Sequence, residues 1–123
     1  MHFYFTIQPI EEILYKDKAS KFIGFAYPVK DEKEIKEKLD HLRNLHPKAT
    51  HHCYAYRLGL DKNNYRANDD GEPSNSAGMP IYGQIQSSGL TNILIVIVRF
   101  FGGTKLGVGG LISAYRTAAQ MAI

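Results

Sequence analysis

The chain has a single cysteine, Cys53, and no tryptophan. One cysteine excludes an internal disulfide framework and suits a reducing compartment. No apolar run approaches the roughly 20 residues that a bilayer-spanning helix needs. The longest, Ile93 to Val98, is far too short. The opening residues Met1-His2-Phe3-Tyr4-Phe5 lack the basic segment and extended apolar stretch of a secretory signal. The expectation is a cytoplasmic protein with no membrane partner. Acidic residues are missing from the last part of the chain. Between Ser76 and Ile123 there is no Asp or Glu, whereas Arg99, Lys105 and Arg116 are present. The first part is nearly balanced, so the net charge of +3 belongs to the C-terminal segment. Such asymmetry speaks to partners rather than to fold. Three cations are nevertheless sparse beside the dense stripe of a dedicated nucleic-acid domain.

What is present is ordinary for a globular protein. A chain of 123 residues fits one domain and is long enough for a core without covalent staples. Apolar residues make up 44% and charged residues 22%, which places the chain with folded rather than disordered sequences. There is no internal repeat and no low-complexity segment.

Periodicity divides the chain into eight elements. Phe3, Phe5 and Ile7 alternate and read as a first strand. Ser20 to Val29 reads as a second, with Ile23, Phe25 and Tyr27 on one face. Asp31 and Glu34 resemble a capping box, and Ile35, Leu39, Leu42 and Leu45 then recur at helical spacing until Pro47. His51 to Leu58 is a strand with Tyr54, Tyr56 and Leu58 alternating. The turn residues Asp61 to Asn64 let Tyr65 to Asn68 return beside it. Pro80 suits the first turn of a second helix, with Ile81 and Ile85 inward and Gly89 as its stop. Ile93 to Val98 reads as a strand buried on both faces. A last helix carries Leu111, Tyr115, Ala118 and Ala122 on its apolar face. The order predicts an α+β fold: a mixed, mostly antiparallel sheet with helices packed on it.

The glycine-rich stretch between the buried strand and the last helix holds the strongest chemical signal. It runs Arg99-Phe100-Phe101-Gly102-Gly103-Thr104-Lys105-Leu106-Gly107-Val108-Gly109-Gly110. Glycines let backbone N–H groups approach a ligand, and a helix N-terminus offers unpaired donors and a favourable dipole. Arg99 and Lys105 add two cations, so Arg99, Gly102, Gly103, Thr104, Lys105, Gly107, Gly109 and Gly110 form a candidate anion or nucleic-acid site. The stretch is not a Walker A loop, because Lys105 is followed by Leu106, and it lacks the context of a dinucleotide fingerprint. A tight, ligand-free strand-to-helix connection remains the alternative.

Other residues invite chemistry less strongly. Asp69, Asp70 and Glu72 form a candidate acidic site that suits Mg²⁺ or acid–base work, or simply an acidic turn. His51, His52 and Cys53 suggest zinc, but adjacent strand residues face opposite ways and two ligands do not make a site. The strand position of Cys53 suggests a packed thiol rather than a nucleophile. No serine lies in a nucleophile elbow. Tyr54, Tyr56, Tyr65 and Tyr82 suit base stacking only if they face solvent beside the basic loop. No catalytic residue, metal or cofactor is assigned.

Several ordered motifs closely resemble the N-terminal domain of the IMPACT family, in its bacterial, YigZ-like branch. They are Asn68-Asp69-Asp70-Gly71-Glu72-Pro73-Ser74, Ala77-Gly78-Met79-Pro80-Ile81, Gly89-Leu90-Thr91-Asn92, Val98 to Gly107, Gly109-Gly110-Leu111 and Ala114-Tyr115. Ser20-Lys21-Phe22-Ile23-Gly24 and His51-His52-Cys53-Tyr54-Ala55 look like that family too, so the likeness runs from about Ser20 to the end. It implies the fold shared by the second domain of a small-subunit ribosomal protein and domain IV of elongation factor G. It also implies that residues 1–123 form one domain, cut before a ferredoxin-like domain. The abrupt end at Ile123, inside a helical pattern, agrees with that expectation. Eukaryotic relatives carry a further protein-binding domain and influence translation under amino-acid starvation. The fold family includes both RNA-binding translation domains and small-molecule kinases, so the likeness does not settle activity.

The leading reading is a non-enzymatic binding module that contacts RNA or ribosome-associated factors through the Gly-rich basic loop, with a role in translation regulation. Two alternatives stay open. One is a phosphate-handling enzyme with Mg²⁺ on the acidic loop opposite the glycine loop. The other is a protein-interaction domain.

Overall fold

A computed structural model describes residues 12–61 and 63–123. Five strands and three helices follow one another as β1 (Ile13–Asp17), β2 (Ser20–Pro28), α1 (Glu32–Leu45), β3 (His51–Arg57), β4 (Tyr65–Asn68), α2 (Gly78–Ser88), β5 (Ile93–Phe100) and α3 (Gly107–Ala122). The strands form one sheet in the order β1-β2-β5-β3-β4. Every pair is antiparallel. The α+β expectation therefore holds, with no parallel pair among the described residues.

The apolar run of β5 makes it the central strand. Leu94, Val96 and Val98 pack toward α1, while Ile93, Ile95 and Ile97 pack toward α2 and α3. Both faces of β5 are thus buried, which is why it reads as continuous apolar sequence rather than alternation. Ile35, Leu39 and Leu42 bury one stripe of α1. Ile81 and Ile85 of α2 join Leu111, Ala114, Ala118 and Ala122 of α3 on the other side. Side chains of this size contribute roughly 1.5–3 kcal/mol each when fully buried.

The helix ends explain where the helices sit. Asp31 caps α1 by accepting the Glu34 N–H at 2.9 Å. Glu34 reaches back to the N–H of Lys30 at 2.7 Å, one residue before the position of a standard capping box. Gly89 closes α2 in the left-handed conformation. Leu45 departs from expectation. It lies in the last turn of α1 and is 53% exposed, whereas Leu42 three residues earlier is buried.

The first strand proposed from Phe3, Phe5 and Ile7 lies outside the described residues. The strand β1 at Ile13–Asp17 had no counterpart in the periodicity. Among the described residues it is an edge strand pairing only with β2, through a two-residue turn in which Lys18 and Ala19 both have positive φ. Ala19 lacks the glycine or asparagine that normally marks such a turn.

Candidate nucleic-acid interface

The end of β5, the following loop and the start of α3 enclose a cavity of about 370 Å³. Arg99 comes to it from the end of β5, Phe101 and Lys105 from the β5–α3 connection, Glu72 from the acidic loop and His51 from β3. The pairing of His51 with Arg99 across β3 and β5 brings these distant segments together.

Arg99 lies in this cavity wall with its charge already engaged. It is 5% exposed, and its Nη1 donates to Glu72 Oε2 at 2.7 Å. Its Nη2 donates to Ser20 Oγ at 3.3 Å. Tyr115 of α3 donates to the same Glu72 oxygen at 2.5 Å. Burial, reinforced by Cys53 and Glu72, pushes the Tyr115 phenol far up, so it stays protonated and donates. Glu72 Oε1 lies 3.4 Å from His51 Nε2. The other ring nitrogen, Nδ1, lies 2.7 Å from the Asp70 carbonyl and so carries the proton that reaches it.

The remaining acidic residues hold the loop in shape. Asp69 Oδ1 accepts the N–H groups of Ala77 and Gly78 at 3.1 and 2.8 Å, and Oδ2 accepts that of Asn75 at 2.9 Å. Asp69 thereby serves the start of α2 from eight residues upstream. Asp70 Oδ2 accepts the His52 N–H at 2.7 Å. Of the three carboxylates only Glu72 lines the cavity with Lys105. Among the described residues, no group of three His, Cys, Asp or Glu side chains is placed to hold a metal ion.

Lys105 is exposed at the cavity mouth. It forms no salt bridge among the described residues. Beside it α3 begins without a side-chain cap and without an acidic residue in its first turn. Its leading N–H groups therefore keep the partial positive charge of a helix start. The glycines divide into different roles. Gly103 and Gly107 adopt φ of +93° and +73°, a region open to glycine at little cost. Gly102 lies against the β1–β2 turn, where a Cβ would stand 2.1 Å from the Ala19 carbonyl carbon. Gly109 meets no such obstacle, and Thr104 is exposed in the loop.

Residues 18–123 match the Impact N-terminal domain. The chain belongs to the IMPACT family. It is 37% identical over 116 residues to the IMPACT family member YigZ of Escherichia coli, covering 93% of this chain and 55% of that protein. The crystal structure of a protein described as hypothetical superposes with a TM-score of 0.88 at 35% identity, over 93% of this chain and 56% of that one. The two-domain translational regulator Yih1 superposes with a TM-score of 0.56 at 28% identity, over 93% of this chain and 46% of that one. The chain thus spans about half the length of the relatives it matches.

Within the IMPACT domain the structure brings Arg99, Lys105, Gly107 and Glu72 to one cavity and leaves Asp69 and Asp70 behind it, in the loop's own hydrogen bonds. Tyr54 and Tyr56 are buried in the core on the α1 side, and Tyr82 is a buried residue of α2 in the core on the opposite side of the sheet. None of the three presents a solvent face beside the loop. Tyr65 is 43% exposed but stacks on Tyr82 with ring centroids 4.1 Å apart. Phe101, 47% exposed at the cavity wall, is the aromatic residue that sequence reasoning passed over. His51 and Tyr115 were also passed over as members of the site. Cys53 is fully buried, 3.1 Å from the Asp69 carbonyl and 3.3 Å from the Tyr115 hydroxyl. Burial pushes its thiol well up, which disfavours the thiolate a nucleophile needs.

Proposed function

We propose that this IMPACT domain is a non-enzymatic module that binds RNA within the translation machinery, using the β5–α3 loop as its contact. One observation carries the reading. Arg99 is neutralised by Glu72, and the charge left at the cavity mouth is that of the exposed Lys105 beside an uncapped helix start. That arrangement suits phosphate, which positions a nucleic acid without reading its sequence. The likeness to Yih1, described as a translational regulator, supports placing the module in that machinery. Titration of single-stranded RNA at several salt concentrations tests the reading. Binding that weakens steeply with salt supports it. No binding at low salt overturns it and moves the protein-interaction reading to first place.

The enzyme reading keeps one observation in its favour: Glu72 and Lys105 share the cavity. Mg²⁺ titration of the melting temperature separates the two readings, because a ligand specific to the native state raises it by mass action. Asp69 and Asp70 already accept backbone N–H groups and Glu72 already accepts from Arg99 and Tyr115. Millimolar Mg²⁺ is therefore expected to leave melting unchanged. A rise of several degrees restores the enzyme reading.

A further inference from the structure

Phe101 lines two cavities. The first is the 370 Å³ cavity of Glu72 and Lys105. The second, of about 400 Å³, is lined by Ala19, Lys21, Ile23, His46 and Phe100 as well as Phe101. The two are alike in kind. Each has a wall of mixed apolar and polar character, and each has one exposed lysine, Lys105 or Lys21. The Arg99 guanidinium lies 5.6 Å from the Phe101 ring centroid and 5.6 Å from that of Phe22. This contact braces a large aromatic side chain that is still 47% exposed.

We propose that two consecutive nucleotides of a single RNA strand occupy these cavities, with the Phe101 ring between their bases and with Lys21 and Lys105 on the adjoining phosphates. The inference rests on the RNA reading above and adds the strand type, the number of nucleotides and two residues, Phe101 and Lys21. Bases have flat apolar faces on which the exposed ring can stack. A single strand is required, because a duplex keeps its bases stacked on one another and out of such pockets. An exposed ring that shares one cavity with Lys105 and another with Lys21 suits single-strand binding, which combines aromatic stacking with phosphate contacts.

The test uses a ten-nucleotide single-stranded RNA, the same RNA as a duplex, and an abasic sugar–phosphate strand of equal length. Phe101→Ala and the milder Phe101→Leu are expected to weaken single-strand binding about tenfold, with the salt dependence unchanged. Both should bind the abasic strand as the wild type does. Lys21→Glu should lower the salt slope by roughly one unit. The duplex should bind more weakly than the single strand. Circular dichroism confirms that each variant is folded. Wild-type affinity in both Phe101 variants, or an unchanged slope in Lys21→Glu, overturns the two-nucleotide site. If Lys105→Glu alone weakens binding, the RNA reading survives and this inference fails. If the wild type binds no RNA, both fail.

Discussion

Glu72 Oε2 and Arg99 Nη1 lie 2.7 Å apart, with both side chains buried, and the pair ties the acidic loop to the end of the central strand. Each ion would be costly to bury alone. Replacing Arg99 with Met leaves Glu72 uncompensated and is expected to destabilise the fold by about 3–5 kcal/mol. The double variant Arg99→Met with Glu72→Leu removes both charges and should cost less than the single change. Urea denaturation of the wild type and of both variants checks this. A double variant less stable than Arg99→Met would show that the pair's value lies in more than mutual compensation.

Two glycines of the loop should respond in opposite directions. Gly102 has the Ala19 backbone where a Cβ would go. Gly102→Ala must displace the β1–β2 turn and is expected to cost about 1–3 kcal/mol, the usual range for overpacking. Gly109 lies in the first turn of α3 with open space around it. Gly109→Ala should stabilise by about 0.4–1 kcal/mol through a less flexible unfolded chain. Denaturation midpoints decide the matter. Equal effects of the two substitutions would contradict the placement of the loop against the hairpin.

Cys53 should resist alkylation in the native protein. It is fully buried, and burial pushes its thiol well above the ordinary range. Labelling with a thiol reagent is expected to be slow in buffer and complete in denaturant. Rapid stoichiometric labelling of folded protein would place the thiol in an exposed, activated setting and reopen a nucleophilic role.

Much of the fold was legible because burial and period agree. Ile93 to Val98 announces a strand covered on both faces, and Pro80 and Gly89 bracket α2 with local backbone chemistry. Edge strand β1 was not legible. It is half-covered, and Ile13, Leu14 and Tyr15 blur its alternation. In the site, the glycine loop and Lys105 were visible as a local pattern, whereas the partners of Arg99 were not. The alternation along β5 does place Arg99 on the side of Ile95 and Ile97, facing α3, and that is the available hint of its burial. The service of Asp69 to the start of α2 across eight residues has no local signature, since capping is ordinarily read from the adjoining residue. The approach of His51 to Glu72 depends on the β3–β5 register, a long-range property.

The central claim is that Lys105 contacts phosphate, and the direct measurement is RNA affinity against salt concentration for the wild type and Lys105→Glu. Lys105 is exposed in a loop, so the substitution should leave the circular dichroism spectrum unchanged. The account predicts weaker binding and a salt slope lower by roughly one unit, as expected for the loss of one phosphate contact. Equal affinities and equal slopes for two folded proteins would contradict it, and the glycine-rich loop would then be architecture rather than a binding surface.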